Sequence, residues 1–130
     1  MLLQIDLQAE EPIYTQIMHQ IIEGIAKKEL KPGDDLPSVR SLASDIGINF
    51  HTVNKAYQLL KQEGFILIHR QKGVVIHPDG VEKATEVFYE KLRRKVRPLI
   101  AESISRSVSK TEWDTICATI YEEIEPEEEQ

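Results

Sequence analysis

The sequence predicts a mainly α, α+β fold, with three helices and a β-hairpin over residues 1–77 and a short two-helix element over residues 78–130. Three observations predict it. Apolar residues recur at helical spacing through residues 13–28, 39–46 and 49–63. Two β-rich runs then flank a four-residue tip in "FILIHRQKGVVIHP". Beyond residue 80 the helical period returns as narrow apolar stripes, which two helices of one small chain cannot bury well by themselves.

Each element has its own justification. Pro12 suits the first turn of a helix, where a missing N–H costs nothing. From there Ile13, Ile17, Ile21 and Ile25, flanked by Tyr14, Met18 and Ile22, define an apolar face to about Lys28. "KPGDDLP" (31–37) reads as a loop, because its prolines and glycine oppose a continuing helix. Ser38 is placed to cap a short helix whose inner side is Val39, Leu42, Ala43 and Ile46, and Gly47 to end it in the left-handed conformation. Asn49 is placed to cap the next helix, which runs to Glu63 before Gly64. Only Gly47, Ile48 and Asn49 separate the two, so the pair is expected to form a helix-turn-helix. In the second of these helices Val53, Ala56, Tyr57 and Leu60 share the inner face, and His51, Asn54, Lys55 and Gln58 the outer one. Residues 66–69 and 74–77 form the hairpin, with Arg70, Gln71, Lys72 and Gly73 at its tip. Three helices followed by a basic-tipped hairpin predict a winged helix-turn-helix domain.

"PDG" (78–80) marks the expected boundary. After it Val81, Ala84, Phe88, Leu92, Val96 and Leu99 form the seam of a long helix, which Pro98 should kink or break. "SKTE" (109–112) has the capping-box pattern ahead of a stripe of Trp113, Ile116, Cys117, Ile120, Tyr121 and Ile124. A second copy of the chain would complete both stripes. Phe88, Leu92, Val96, Trp113, Ile116 and Ile120 are therefore the expected homodimer contacts, and residues 78–130 the dimerisation element with an acidic tail.

Charge narrows the function classes. The net charge of −6 over 130 residues argues weakly against nucleic acid, but its distribution does not. In residues 39–77, Arg40, Lys55, Lys61, Arg70 and Lys72 outweigh Asp45 and Glu63 to give +3, while residues 112–130 carry −8 with no lysine or arginine. Local sign governs phosphate attraction, because charges more than about 10 Å apart are screened at physiological salt. Lys91, Arg93, Arg94, Lys95, Arg97, Arg106 and Lys110 against Glu102 make a further +6 block. That block either pairs with the acidic end, within or between subunits, or adds nonspecific attraction to DNA.

His19, His51, His69 and His77 lack metal-site spacing, so no metal or cofactor is expected. No nucleophile–base or paired-carboxylate arrangement falls on a common pocket, which argues against an enzyme. The single Cys117 excludes an internal disulfide and fits a reducing compartment. No apolar run approaches the roughly 20 residues that span a bilayer, so a cytoplasmic protein without a membrane partner is expected.

"EPIYTQI" (11–17), "LKPGDDLPSVRSLASDIGIN" (30–49), "TVNKAYQLLKQEGFI" (52–66) and "RQKG" (70–73) together resemble the GntR family of bacterial transcription regulators, and the short helical tail resembles its YtrA-type subfamily. The resemblance is strong over residues 10–77 and rests on length and helical pattern beyond them. It implies a homodimeric winged-helix protein that binds a double-stranded, pseudo-palindromic DNA operator. It also implies a repressor, of an operon that in this family often encodes an ABC transporter and usually includes the regulator's own gene. The family's DNA contacts fall on Ser38 and Arg40 of "LPS-x-R", on Asn49, Phe50, His51, Thr52 and Asn54, and on the wing residues Arg70, Gln71 and Lys72. Lys55, further along the outer face, is either a phosphate contact or a plain solvated lysine. Arg40 is set in a first helical turn whose unpaired amides favour anions, the alternative being a salt bridge with Asp34, Asp35 or Asp45. Glycine is common where Gln71 stands, proline or arginine where Phe50 stands, and a small residue or asparagine where His51 stands, so the base preference does not carry over. Two other classes compete: a winged-helix adaptor that binds a polypeptide, and a ligand-gated sensor whose cavity would lie among Trp113, Tyr121 and Phe88. The sequence identifies no effector.

Overall fold

The computed structural model describes residues 3–71 and 73–126. Lys72 of the wing and Glu127, Glu128 and Glu129 of the acidic tail lie outside the described residues. The chain divides between Val81 and Glu82 into two compact units.

In the first unit three helices, α1 (Ile13–Ala26), α2 (Val39–Ile46) and α3 (Phe50–Gln62), pack with three short strands, β1 (Asp35–Leu36), β2 (Ile66–His69) and β3 (Gly73–Ile76). The core is built from the inner faces read in the sequence. Ile17 and Ile21 of α1 meet Leu42 and Ala43 of α2, Val53, Ala56, Tyr57 and Leu60 of α3, and Leu36, Ile66, Val74 and Ile76 of the sheet. The cap geometry follows the local chemistry. Ser38 Oγ accepts from Ser41 N at 3.0 Å, and Asn49 Oδ1 accepts from His51 N at 2.7 Å. Gly47 takes φ 67°, ψ 34°, and Ile48 N then donates back to Ala43 O at 3.0 Å, closing α2.

Two features depart from the expected outline. The "KPGDDLP" loop contains β1, which pairs antiparallel with β3 in the register Asp35↔Val75 and Leu36↔Val74, so the sheet order is β1-β3-β2. Two residues are too few to show a period of two; the burial of Leu36 and the backbone bonds Gly33 N to Ile76 O (2.9 Å) and Ile76 N to Asp34 O (2.8 Å) hold them to the sheet. The N-terminal residues, which carry no periodic signal, are also tied down. Gln16 is buried, and its side-chain amide accepts from Asp6 N and donates to Asp6 O and Glu11 O, each at 2.9 Å. One turn on, Gln20 repeats the pairing with Gln4 N at 2.9 Å and Gln4 O at 2.7 Å. Two glutamines on one helix face thus mimic a neighbouring strand, and they bring Leu3 and Ile5 against the core.

The second unit contains α4 (Glu86–Ser105) and α5 (Lys110–Ile124). α4 begins later than its apolar seam suggested, and residues 81–85 form no regular element. Pro98 does not break it: the helix is continuous through that residue. No residue of α4 is buried, so the carbonyl that Pro98 leaves without a helical donor can turn to solvent, and only one bond is lost. The capping box of α5 is formed in both directions, Ser109 Oγ accepting from Glu112 N at 3.1 Å and Glu112 Oε1 from Ser109 N at 3.2 Å.

Candidate nucleic-acid interface

The outer surface of the first unit gathers most of the expected contact residues through the α2–turn–α3 geometry. With Val53, Ala56, Tyr57 and Leu60 fully buried, α3 can rotate no further inward, and the helical period fixes what remains outside. His51 and Gln58 are exposed there, and Thr52 and Asn54 half-exposed. Tyr57 also locks the unit from beneath, its hydroxyl donating to Pro37 O at 2.7 Å just before the α2 cap.

Two of the cations rest on aromatic rings. Arg40, the second residue of α2, forms none of the salt bridges considered for it. Its guanidinium lies over the Phe50 ring at 5.3 Å from the centroid. Asp34 is engaged instead with the amide of Lys31, at 2.8 Å. Phe50 in turn meets the His51 ring edge-on, with centroids 5.6 Å apart and planes at 81°. Lys55 is exposed on the outer row, and its ammonium sits 4.0 Å from the centroid of Tyr14 on α1. Neither aromatic seat was legible from local pattern, because each joins residues on different helices. Asn49 and Ser38 are spent as caps through their oxygens, which leaves Asn49 its amide nitrogen for other partners.

At the wing, Arg70 and Gln71 are exposed on the β2–β3 turn. His69 Nδ1 accepts from Gln71 N at 3.2 Å, and His77 Nδ1 likewise accepts from Asp79 N at 3.2 Å. Through Nδ1 each of these two histidines braces a turn.

In the second unit, Phe88, Leu92, Ile116 and Ile120 are exposed, and Val96 and Trp113 half-buried. An open groove of about 860 Å³ runs along α4 over Leu92, Val96, Ile100, Ala101 and Ile104, edged by arginines. Trp113, Tyr121 and Phe88, between which a sensor cavity was considered, do not line it. The +6 block pairs chiefly within its own helix: Arg93–Glu86 at 2.7 Å, Arg94–Glu90 at 3.2 Å and Arg106–Glu102 at 2.9 Å. Lys110 reaches a carboxylate of the acidic segment, Asp114 one turn on at 2.7 Å. Pairs of this kind join neighbours on one helix face.

Comparison with known proteins points the same way as this geometry. Residues 13–76 match the family model for bacterial regulatory proteins of the gntR family. The HTH-type transcriptional repressor YtrA of Bacillus subtilis is 38% identical over 102 residues, which cover 78% of each chain. Among solved structures, a Listeria monocytogenes protein described as a transcriptional antiterminator superposes with a TM-score of 0.90 at 27% identity, over 100% of this chain and 98% of that one. YtrA from Sulfolobus acidocaldarius, described as a GntR-family transcription factor, gives a TM-score of 0.61 at 43% identity, over 81% of this chain and 99% of that one.

Proposed function

The chain belongs to the GntR family of bacterial regulatory proteins and is a DNA-binding transcriptional regulator of the YtrA type; from this we propose that it represses an operon by binding a pseudo-palindromic operator as a homodimer. The observation that carries the proposal is the division of α3, whose apolar half is sealed in the core while His51, Thr52 and Asn54 stand outward behind the tight α2–α3 turn. Side chains of this kind suit the major groove, where each base pair displays a distinct pattern of donors and acceptors. Arg40 and the first amides of α2 would fix the register on the phosphates, and Arg70 with its wing neighbours would follow the minor groove or its edge.

The C-terminal helices would pair two copies and so set the spacing of the half-sites. The family's habit of repressing transporter operons together with the regulator's own gene makes such promoters the targets for a first assay, and a cytoplasmic setting goes with a DNA target. Selection of bound fragments from random duplex DNA at low salt tests the reading. The expected product is a two-fold-related site with half-sites roughly 10 bp apart. A purified chain that enriches no sequence would overturn it, and capture of a polypeptide on the same face would favour the adaptor.

A further inference from the structure

Among the exposed side chains in the opening turn of α3, Phe50 alone offers no hydrogen bond, yet it stands 39% exposed in the middle of the polar surface and outside the core. Its ring touches two neighbours, the Arg40 guanidinium on its face and the His51 imidazole on its edge. Arg40 has no carboxylate within 4.0 Å among the described residues, so the ring is the contact that orders it. An exposed arginine samples many rotamers, and freezing it on a ligand costs side-chain entropy. Stacking on an aromatic face removes part of that cost in advance. The Arg40 side chain makes no hydrogen bond or ion pair among the described residues, so its N–H groups stay free for a phosphate.

We propose that Phe50 is a positioning residue, which seats Arg40 across the helix-turn-helix so that its N–H groups meet the DNA backbone already oriented. The proposal rests on the DNA-binding reading and adds a division of labour to it: Arg40 makes the contact, and Phe50 acts through Arg40 rather than on a base. Polar residues at the same position could not provide this seat.

The test is a double-mutant cycle with Phe50→Leu and Arg40→Ala, measured on the selected operator and on a scrambled duplex, with Phe50→Tyr as the conservative variant. Phe50→Leu should weaken both duplexes alike, by about two- to fivefold per bound subunit. It should have no further effect once Arg40 is alanine, and Phe50→Tyr should bind as the unaltered chain does. In the free protein, the Arg40 side-chain proton resonances should lie upfield through the ring current and lose that displacement in Phe50→Leu. An equal loss in both Arg40 backgrounds would overturn the proposal. So would a loss confined to the operator and reproduced by replacing thymine with uracil, since Phe50 would then be reading a base methyl group. Failure of the unaltered chain to bind any duplex would instead overturn the DNA-binding reading itself, and the resonance measurement would still decide whether the ring seats Arg40.

Discussion

Arg40 projects from α2 and rests on a ring carried by α3, so one side chain spans both halves of the turn. If it contacts phosphate, Arg40→Ala should weaken binding to every sequence and shallow the slope of log K against log salt by about one unit per subunit. His51→Ala and Asn54→Ala should instead blur preference at one or two base pairs per half-site. Asn54, whose amide can engage adenine twice, is expected to lose about 1–3 kcal/mol of discrimination and His51 less. Binding titrations against single-base variants of the operator separate the two patterns. Beneath this surface, Tyr57→Phe deletes the bond to Pro37 O and should cost about 0.5–1.5 kcal/mol in urea unfolding. Burial pushes the Tyr57 hydroxyl above its ordinary value of 10.0. The unfolded chain therefore ionises first, and the stability this group contributes is complete below pH 10.0 and declines as the pH climbs toward the raised folded value. Unfolding free energies measured above pH 10.0 should fall less steeply for Tyr57→Phe than for the unaltered chain.

The short elements show what local sequence can and cannot specify. Ser38, Gly47, Asn49 and the Ser109–Glu112 box all take the roles their spacing implies, because a cap is decided within four residues. β1 was not legible, since its two residues gain their strand character from β3, far along the chain. The N-terminal arm was hidden for a related reason: Gln16 and Gln20 look like ordinary polar residues of a helix until the backbone they pair with is folded back on them. Lys55 is exposed on the outer row as the helical period has it, but the period could not show that its ammonium would rest on Tyr14 of another helix. Among these elements the α2–α3 turn is the most exposed to a single change. An added Cβ at Gly47 would meet no atom within 4 Å, so Gly47→Ala carries only the backbone penalty of φ 67°. That penalty is roughly 1–2 kcal/mol. A lowered urea midpoint with an unchanged slope is the expected result, and Gly47→Asn should lose less.

On the scale of the whole molecule, the two units differ in how much of themselves they hide. The first has a closed core, whereas α4 and α5 contain no buried residue and leave Leu92, Ile104, Ile116, Ile120 and Tyr121 open to water. The apolar stripes were readable from period alone, but what covers them was not, because a partner leaves no local mark in the chain. If a second copy covers them, Trp113→Glu or Ile116→Asp should yield monomers by sedimentation, since each variant forfeits about 1.5–3 kcal/mol of burial and adds a desolvation cost. An unchanged dimer in both would place the interface elsewhere. The bareness of α4 and α5 has a further consequence, which concerns abundance. If a twin completes the core of this helix pair, mass action stabilises it, and its melting point should rise with protein concentration while that of the winged unit stays fixed. Operator occupancy would then climb more steeply than in proportion to the number of chains per cell, and dilution at cell growth would itself lower it.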